Sequence, residues 1–132
     1  METLLIKNGL LMAVVGILVG LPFTRSIKKH NEEQWRIAHL SGILAGTFII
    51  ALGLIYDKFT TPTQFNWWTC LLMISSNWLF LLGTLIAGFS GKRGLNPKST
   101  SIAGRSIFIL YCIAALLSTI GTIGLLVIGL NL

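Results

Sequence analysis

The stretch that decides the fold is EEQWRIAHLSGILAGTFIIALGLIYD, residues 32–57. It opens on charge and then runs apolar to its end, with an ionisable ring, His39, just inside the apolar part and glycines at 42, 46 and 53. A helix needs about 20 consecutive, mostly apolar residues to cross the hydrocarbon core of a bilayer, and residues 36–56 supply them. The run is too long and too continuous for a barrel strand, which alternates apolar and polar positions. Residues 36–56 therefore read as a membrane-spanning helix.

Three further segments have the same character, at residues 4–23, 65–89 and 105–131. Together the four use most of the chain and leave no room for a soluble domain. The expectation is an all-α, integral membrane four-helix transmembrane bundle, with residues 1–132 as a single domain. Composition agrees: 54% of the 132 residues are hydrophobic and 11% are charged, against about 25% charged in soluble domains. Segment 4–23 is followed by GLPFTRSIKK rather than by a small-residue cleavage site, so it reads as a retained helix. Pro22 sits near its end, where a break is tolerable.

The net charge of +6 is not a nucleic-acid signal, because of where the charges lie. Loop 24–35 and the start of the second helix carry Arg25, Lys28, Lys29 and Arg36. Loop 90–104 and the start of the fourth carry Lys92, Arg93, Lys98 and Arg105. These are eight of the ten Lys and Arg; Lys7 and Lys58 lie at the other end. By the positive-inside rule both basic loops are expected in the cytoplasm and both termini outside, in an inner (plasma) membrane. The expected partner of the surface is the lipid bilayer, with no nucleic acid. Trp35, Tyr56, Trp67 and Trp68 fall near the ends of the spans, as an aromatic belt would. Cys70 and Cys112 lie in separate helices with no CxxC, so neither a thiol redox pair nor a zinc site is supported.

The first helix holds Gly16 and Gly20, the second Gly42 and Gly46, each with the small-xxx-small spacing that lets backbones approach closely in lipid. The third helix is the most polar: Cys70, Asn77 and Thr84 recur every seven residues, flanked by Ser75, Ser76 and Trp78. An amide near mid-membrane must face protein or a cavity, because lipid offers it no hydrogen bond. The fourth helix carries Tyr111, Ala115, Ser118, Thr122 and Gly129 in a similar stripe. Both stripes suit either polar helix packing or the wall of a pocket for a small apolar substrate or ligand. Ser76, Asn77 and Thr84 are the pocket candidates.

His39, Gly42, Gly46 and Gly53 share one helix face. A histidine beside a smooth glycine floor suits a flat ligand; equally, an interfacial histidine and packing glycines would give the same pattern. A lone histidine cannot hold zinc, which takes three or four protein ligands. Haem brings four nitrogens of its own, so one axial histidine suffices; without a CxxCH it would be bound non-covalently. His30, in KKHNEE, reads as solvated.

QWRIAHLSGILAGT resembles the second helix of the styrene oxide isomerases, small four-helix membrane enzymes in which a tryptophan precedes an alanine–histidine pair and small residues. SNWLFLLGTLIAGFSGKRGLNP resembles the end of that family's third helix and the loop after it, through Trp78, Phe89, Ser90, Arg93, Gly94 and Leu95. The resemblance runs without gaps from Trp35 to Leu95, more loosely through the fourth helix, and in hydropathy alone over the first. It implies that His39 is the axial ligand of haem b, beside Gly42 and Gly46, and that the haem lies between subunits of a homotrimer. It also implies epoxide isomerisation to an aldehyde, with ferric iron as Lewis acid. The chain departs from the family where a tyrosine, an asparagine and an aspartate surround the substrate: those positions fall on Thr84, Ala45 and Ser76. The alternative is a non-enzymatic membrane haem protein for sensing, gas binding or electron transfer. A small transporter is disfavoured, because Glu2, Glu32, Glu33 and Asp57 are all terminal or in loops.

Overall fold

The computed structural model describes residues 1–26, 31–93, 96 and 100–130. They form four helices, α1 (Glu2–Ser26), α2 (Glu32–Ile55), α3 (Thr63–Ser90) and α4 (Ile102–Gly129), with a short 3-10 turn at Tyr56–Lys58 and no strand among the described residues. At 1.5 Å rise per residue, helices of 24 to 28 residues are about 36–42 Å long, more than the ~30 Å of hydrocarbon they must cross. All four are also apolar enough to do so. The protein is an all-α integral membrane protein.

The helix ends are set by local chemistry. Ser101 caps α4 by accepting a hydrogen bond from the N–H of Gly104 at 3.1 Å, which starts the helix one turn before the expected residue 105. α3 stops at Gly91, whose φ of 66° is open to glycine, and whose N–H closes onto the Ala87 carbonyl. Pro22 lies inside α1, which continues to Ser26, three residues beyond the expected end at 23. A proline removes one backbone donor, and a transmembrane helix accommodates it within its last turns. Lys28, Lys29, His30, Gly94, Leu95 and Lys98 lie outside the described residues, as does the end of the segment expected to reach 131.

The chain packs as two antiparallel pairs, α1 with α2 and α3 with α4, joined along α2 and α3; α1 only grazes α3. In lipid the hydrophobic effect does not drive this pairing, so close contact of backbones has to. Along α1 and α2 glycine meets glycine. A Cβ on Gly42 would lie 2.6 Å from the Gly16 Cα, and one on Gly46 2.5 Å from the Gly9 carbonyl oxygen. α3 is the most enclosed helix and α4 the least. The main core gathers Leu5 and Met12 of α1, Ile49 and Leu52 of α2, and Cys70, Met73, Ile74 and Leu81 of α3.

A polar contact inside the spans ties α3 to α1. The Trp78 Nε1–H donates to Asn8 Oδ1 at 3.0 Å, and Asn8 donates to the Leu4 carbonyl at 2.9 Å. Trp35 is not the lipid-facing belt residue expected. It is 5% exposed, its ring lies over Gly88, where a Cβ would come within 2.8 Å, and it meets Phe89 edge-on at 4.8 Å. A glycine on the neighbouring helix opens a slot that an indole fills. Trp67 and Trp68 are exposed at the start of α3.

Candidate functional site

α2, α3 and α4 enclose a cavity of about 650 Å³, within the usual range for small-molecule sites. The three pocket candidates Ser76, Asn77 and Thr84 all line it. Tyr111, Ala115 and Ser118 of α4 line it from the opposite side, while Thr122 and Gly129 of the same expected stripe are exposed. Residues not singled out from the sequence complete the wall: Glu33, Gln34 and Ile37 of α2, Phe80 and Ala87 of α3, Arg93, and Ala114 of α4. The α2 contribution was legible in principle. Gln34, Ile37 and Ser41 are spaced by three and four and so share a face.

The α3 hydroxyls are committed to their own helix. Ser76 donates to the Met73 carbonyl at 3.0 Å and Thr84 to the Leu81 carbonyl at 2.8 Å. Asn77 Nδ2 also donates to Met73 O, at 2.8 Å. These bonds satisfy both hydroxyl donors and one of the two Asn77 N–H groups, and leave the oxygens able to accept. Ser41 donates to the Ala38 carbonyl, so its 3.4 Å approach to Thr84 Oγ1 adds little. At the mouth, Arg93 pairs with Glu33 at 2.6 Å, both ends being substantially exposed. Beside them Gln34 is 6% exposed, and its Oε1 is buried without a hydrogen-bond partner among the described residues.

His39 is not in this cavity. It lies on the face of α2 turned to α1, where its Nδ1 is 2.7 Å from the Gly16 carbonyl oxygen. A carbonyl only accepts, so in the neutral ring Nδ1 carries the proton and the lone pair is on Nε2. Phe23 stacks on the imidazole at 6.1 Å and 21°. Gly20 lies so close that a Cβ there would stand 3.1 Å from His39 Cε1. Nε2 makes no hydrogen bond among the described residues, and the ring is half-buried. Gly42 and Gly46 are covered by Gly16, Gly9 and Ala13 of α1. They form the seam between α1 and α2, and no flat ligand rests on them while that seam is closed.

Among the described residues no three His, Cys, Asp or Glu side chains gather to hold a metal ion. The donor at His39 is a single imidazole with its tautomer fixed from behind. That fits a metal that brings its own equatorial ligands, and so it fits an axial bond to haem.

Residues 1–130 match the family model described as styrene oxide isomerase, and the chain belongs to that family. The match extends across α1 and α4, well beyond the stretch 35–95 on which the motifs lie. A comparison with the curated proteins found no match.

Proposed function

We propose that this member of the styrene oxide isomerase family holds haem b non-covalently on Nε2 of His39 and isomerises a small, largely apolar epoxide to a carbonyl compound. The observation that carries the reading is the Gly16 carbonyl behind His39 Nδ1. It orients the ring and fixes the proton on Nδ1, as partners of metal-bound histidines do. Ferric haem held by His39 would supply a Lewis acid for an epoxide oxygen, the chemistry that an epoxide-to-aldehyde isomerisation without net redox change calls for.

The protein's own part is binding and orientation. Ile37, Phe80 and Ala87 offer the hydrocarbon part of a substrate an apolar wall, while Asn77, with Oδ1 and one N–H uncommitted, can orient its polar end. The family's tyrosine, asparagine and aspartate are replaced at Thr84, Ala45 and Ser76, so the substrate here differs in what surrounds its reacting carbon. His39 and the cavity lie on different sides of α2. We therefore propose that the haem of one copy serves the cavity of another across a homotrimer interface. The eight basic residues near loops 24–35 and 90–104 support placing those loops in the cytoplasm and both termini outside.

Purified protein in detergent should show a Soret band at near-stoichiometric haem, and His39→Ala should lose it or shift it. A His39→Ala variant with full haem and an unaltered spectrum overturns the assignment. The separation of His39 from the cavity within one protomer favours a second reading, a haem protein for gas binding or electron transfer without isomerase activity. Turnover of an aryl epoxide by haem-loaded protein decides between the two.

A further inference from the structure

α4 brings to the cavity two hydroxyls that the preceding reading does not use, Tyr111 and Ser118. They are seven residues apart, on one helix face and about 10 Å from each other along the axis. Ala114 and Ala115 between them keep the wall low. The Tyr111 ring is held in place by α3. A Cβ on Gly83 would lie 2.7 Å from Tyr111 Cε1, and the Phe80 ring lies 5.3 Å away at 34°. The ring is gripped on its carbon face, yet among the described residues its hydroxyl makes no hydrogen bond.

The other wall is different in kind. Ser76 and Thr84 spend their only O–H on carbonyls of α3 and turn acceptors to the space. The phenol is a stronger donor than an alkyl alcohol, being far more acidic. Both charged residues of the lining, Glu33 and Arg93, sit at the mouth and pair with each other. An ionised ligand would lose its hydration in the remainder of the cavity without gaining a counter-charge.

We propose that Tyr111 donates the hydrogen bond that seats the oxygen of a neutral, largely apolar ligand in this cavity, selecting ligands with an acceptor oxygen over hydrocarbons of the same shape. The inference rests on the cavity being the substrate site, as proposed above, and is independent of haem.

Acetophenone and ethylbenzene share a shape and differ at one oxygen. Their binding to the protein in nanodiscs, with empty nanodiscs as reference, separates the possibilities. Tyr111→Phe should weaken acetophenone about tenfold, the worth of one buried hydrogen bond, and leave ethylbenzene unchanged. Equal weakening of both probes, or of neither, overturns the role of Tyr111. Ser76→Trp fills the cavity and should block both probes. If it does so while Tyr111→Phe has no selective effect, the donor assignment alone fails. If Ser76→Trp leaves both affinities intact, the cavity is not the binding site and the two readings fall together.

Discussion

The Gly16 carbonyl oxygen reaches to 2.7 Å of His39 Nδ1 because Gly16 and Gly42 have no side chains to keep α1 and α2 apart. A Cβ on Gly42 would stand 2.6 Å from the Gly16 Cα, and one on Gly16 would stand 2.8 Å from the Gly42 carbonyl carbon. The glycine seam and the histidine are therefore one device. The seam sets the distance between the helices, and the distance makes the bond that chooses which imidazole nitrogen is bare. In a span, where lipid offers an unpaired N–H nothing, that bond is hard to give up.

The tautomer can be read directly. In haem-free protein the 15N signals of the neutral His39 ring should show Nδ1 protonated and Nε2 bare. A ring protonated on Nε2 instead would remove the basis for an axial bond from that nitrogen.

Gly42→Val should lower stability by about 2 kcal/mol, the usual cost of forcing extra carbons into a packed contact. It should also weaken haem binding by pushing the Gly16 carbonyl off His39. Gly129→Ala, where a Cβ meets nothing within 4 Å, should change neither. Unfolding in detergent followed by helicity, alongside haem titration, checks both effects.

Gln34→Met should raise the stability of the ligand-free protein by about 1 kcal/mol, since it removes a buried oxygen that has no partner among the described residues. A loss of stability would mean that bound water or ligand satisfies that oxygen.

Asn77→Leu should leave assembly intact and alter ligand affinity, because the amide bonds only to its own helix and otherwise borders the cavity. Native mass spectrometry with a binding measurement separates this from a packing role, in which the oligomer would dissociate instead.

The Glu33–Arg93 pair is exposed at both ends, so Glu33→Gln should cost no more than about 1 kcal/mol, and less at high salt. Reporter fusions at the C-terminus should read outside the cytoplasm.

Hydropathy and charge are properties of single segments. The four spans and their basic ends were legible in the sequence for that reason, with boundaries shifted by a few residues, at the start of α4 by the Ser101 cap. The stripe of Ser76, Asn77 and Thr84 was legible because a helix turns every 3.6 residues, and one face of α3 had to hold what lipid would reject. Which neighbour each face meets was not legible, because that depends on two helices at once. A glycine leaves the same gap whether a ligand, an indole or another backbone fills it. Only the tertiary structure put α1 against Gly42 and Gly46, Trp35 over Gly88, and His39 on the far side of α2 from the cavity. The seam between α1 and α2 does carry a trace in the sequence: Gly16 and Gly20 on one helix and Gly42 and Gly46 on the other have the small-xxx-small spacing that close helix packing uses. The chemistry each residue could do came from its type and its place in a span; what it touches came from the packing of α1 on α2 and of α3 on α4.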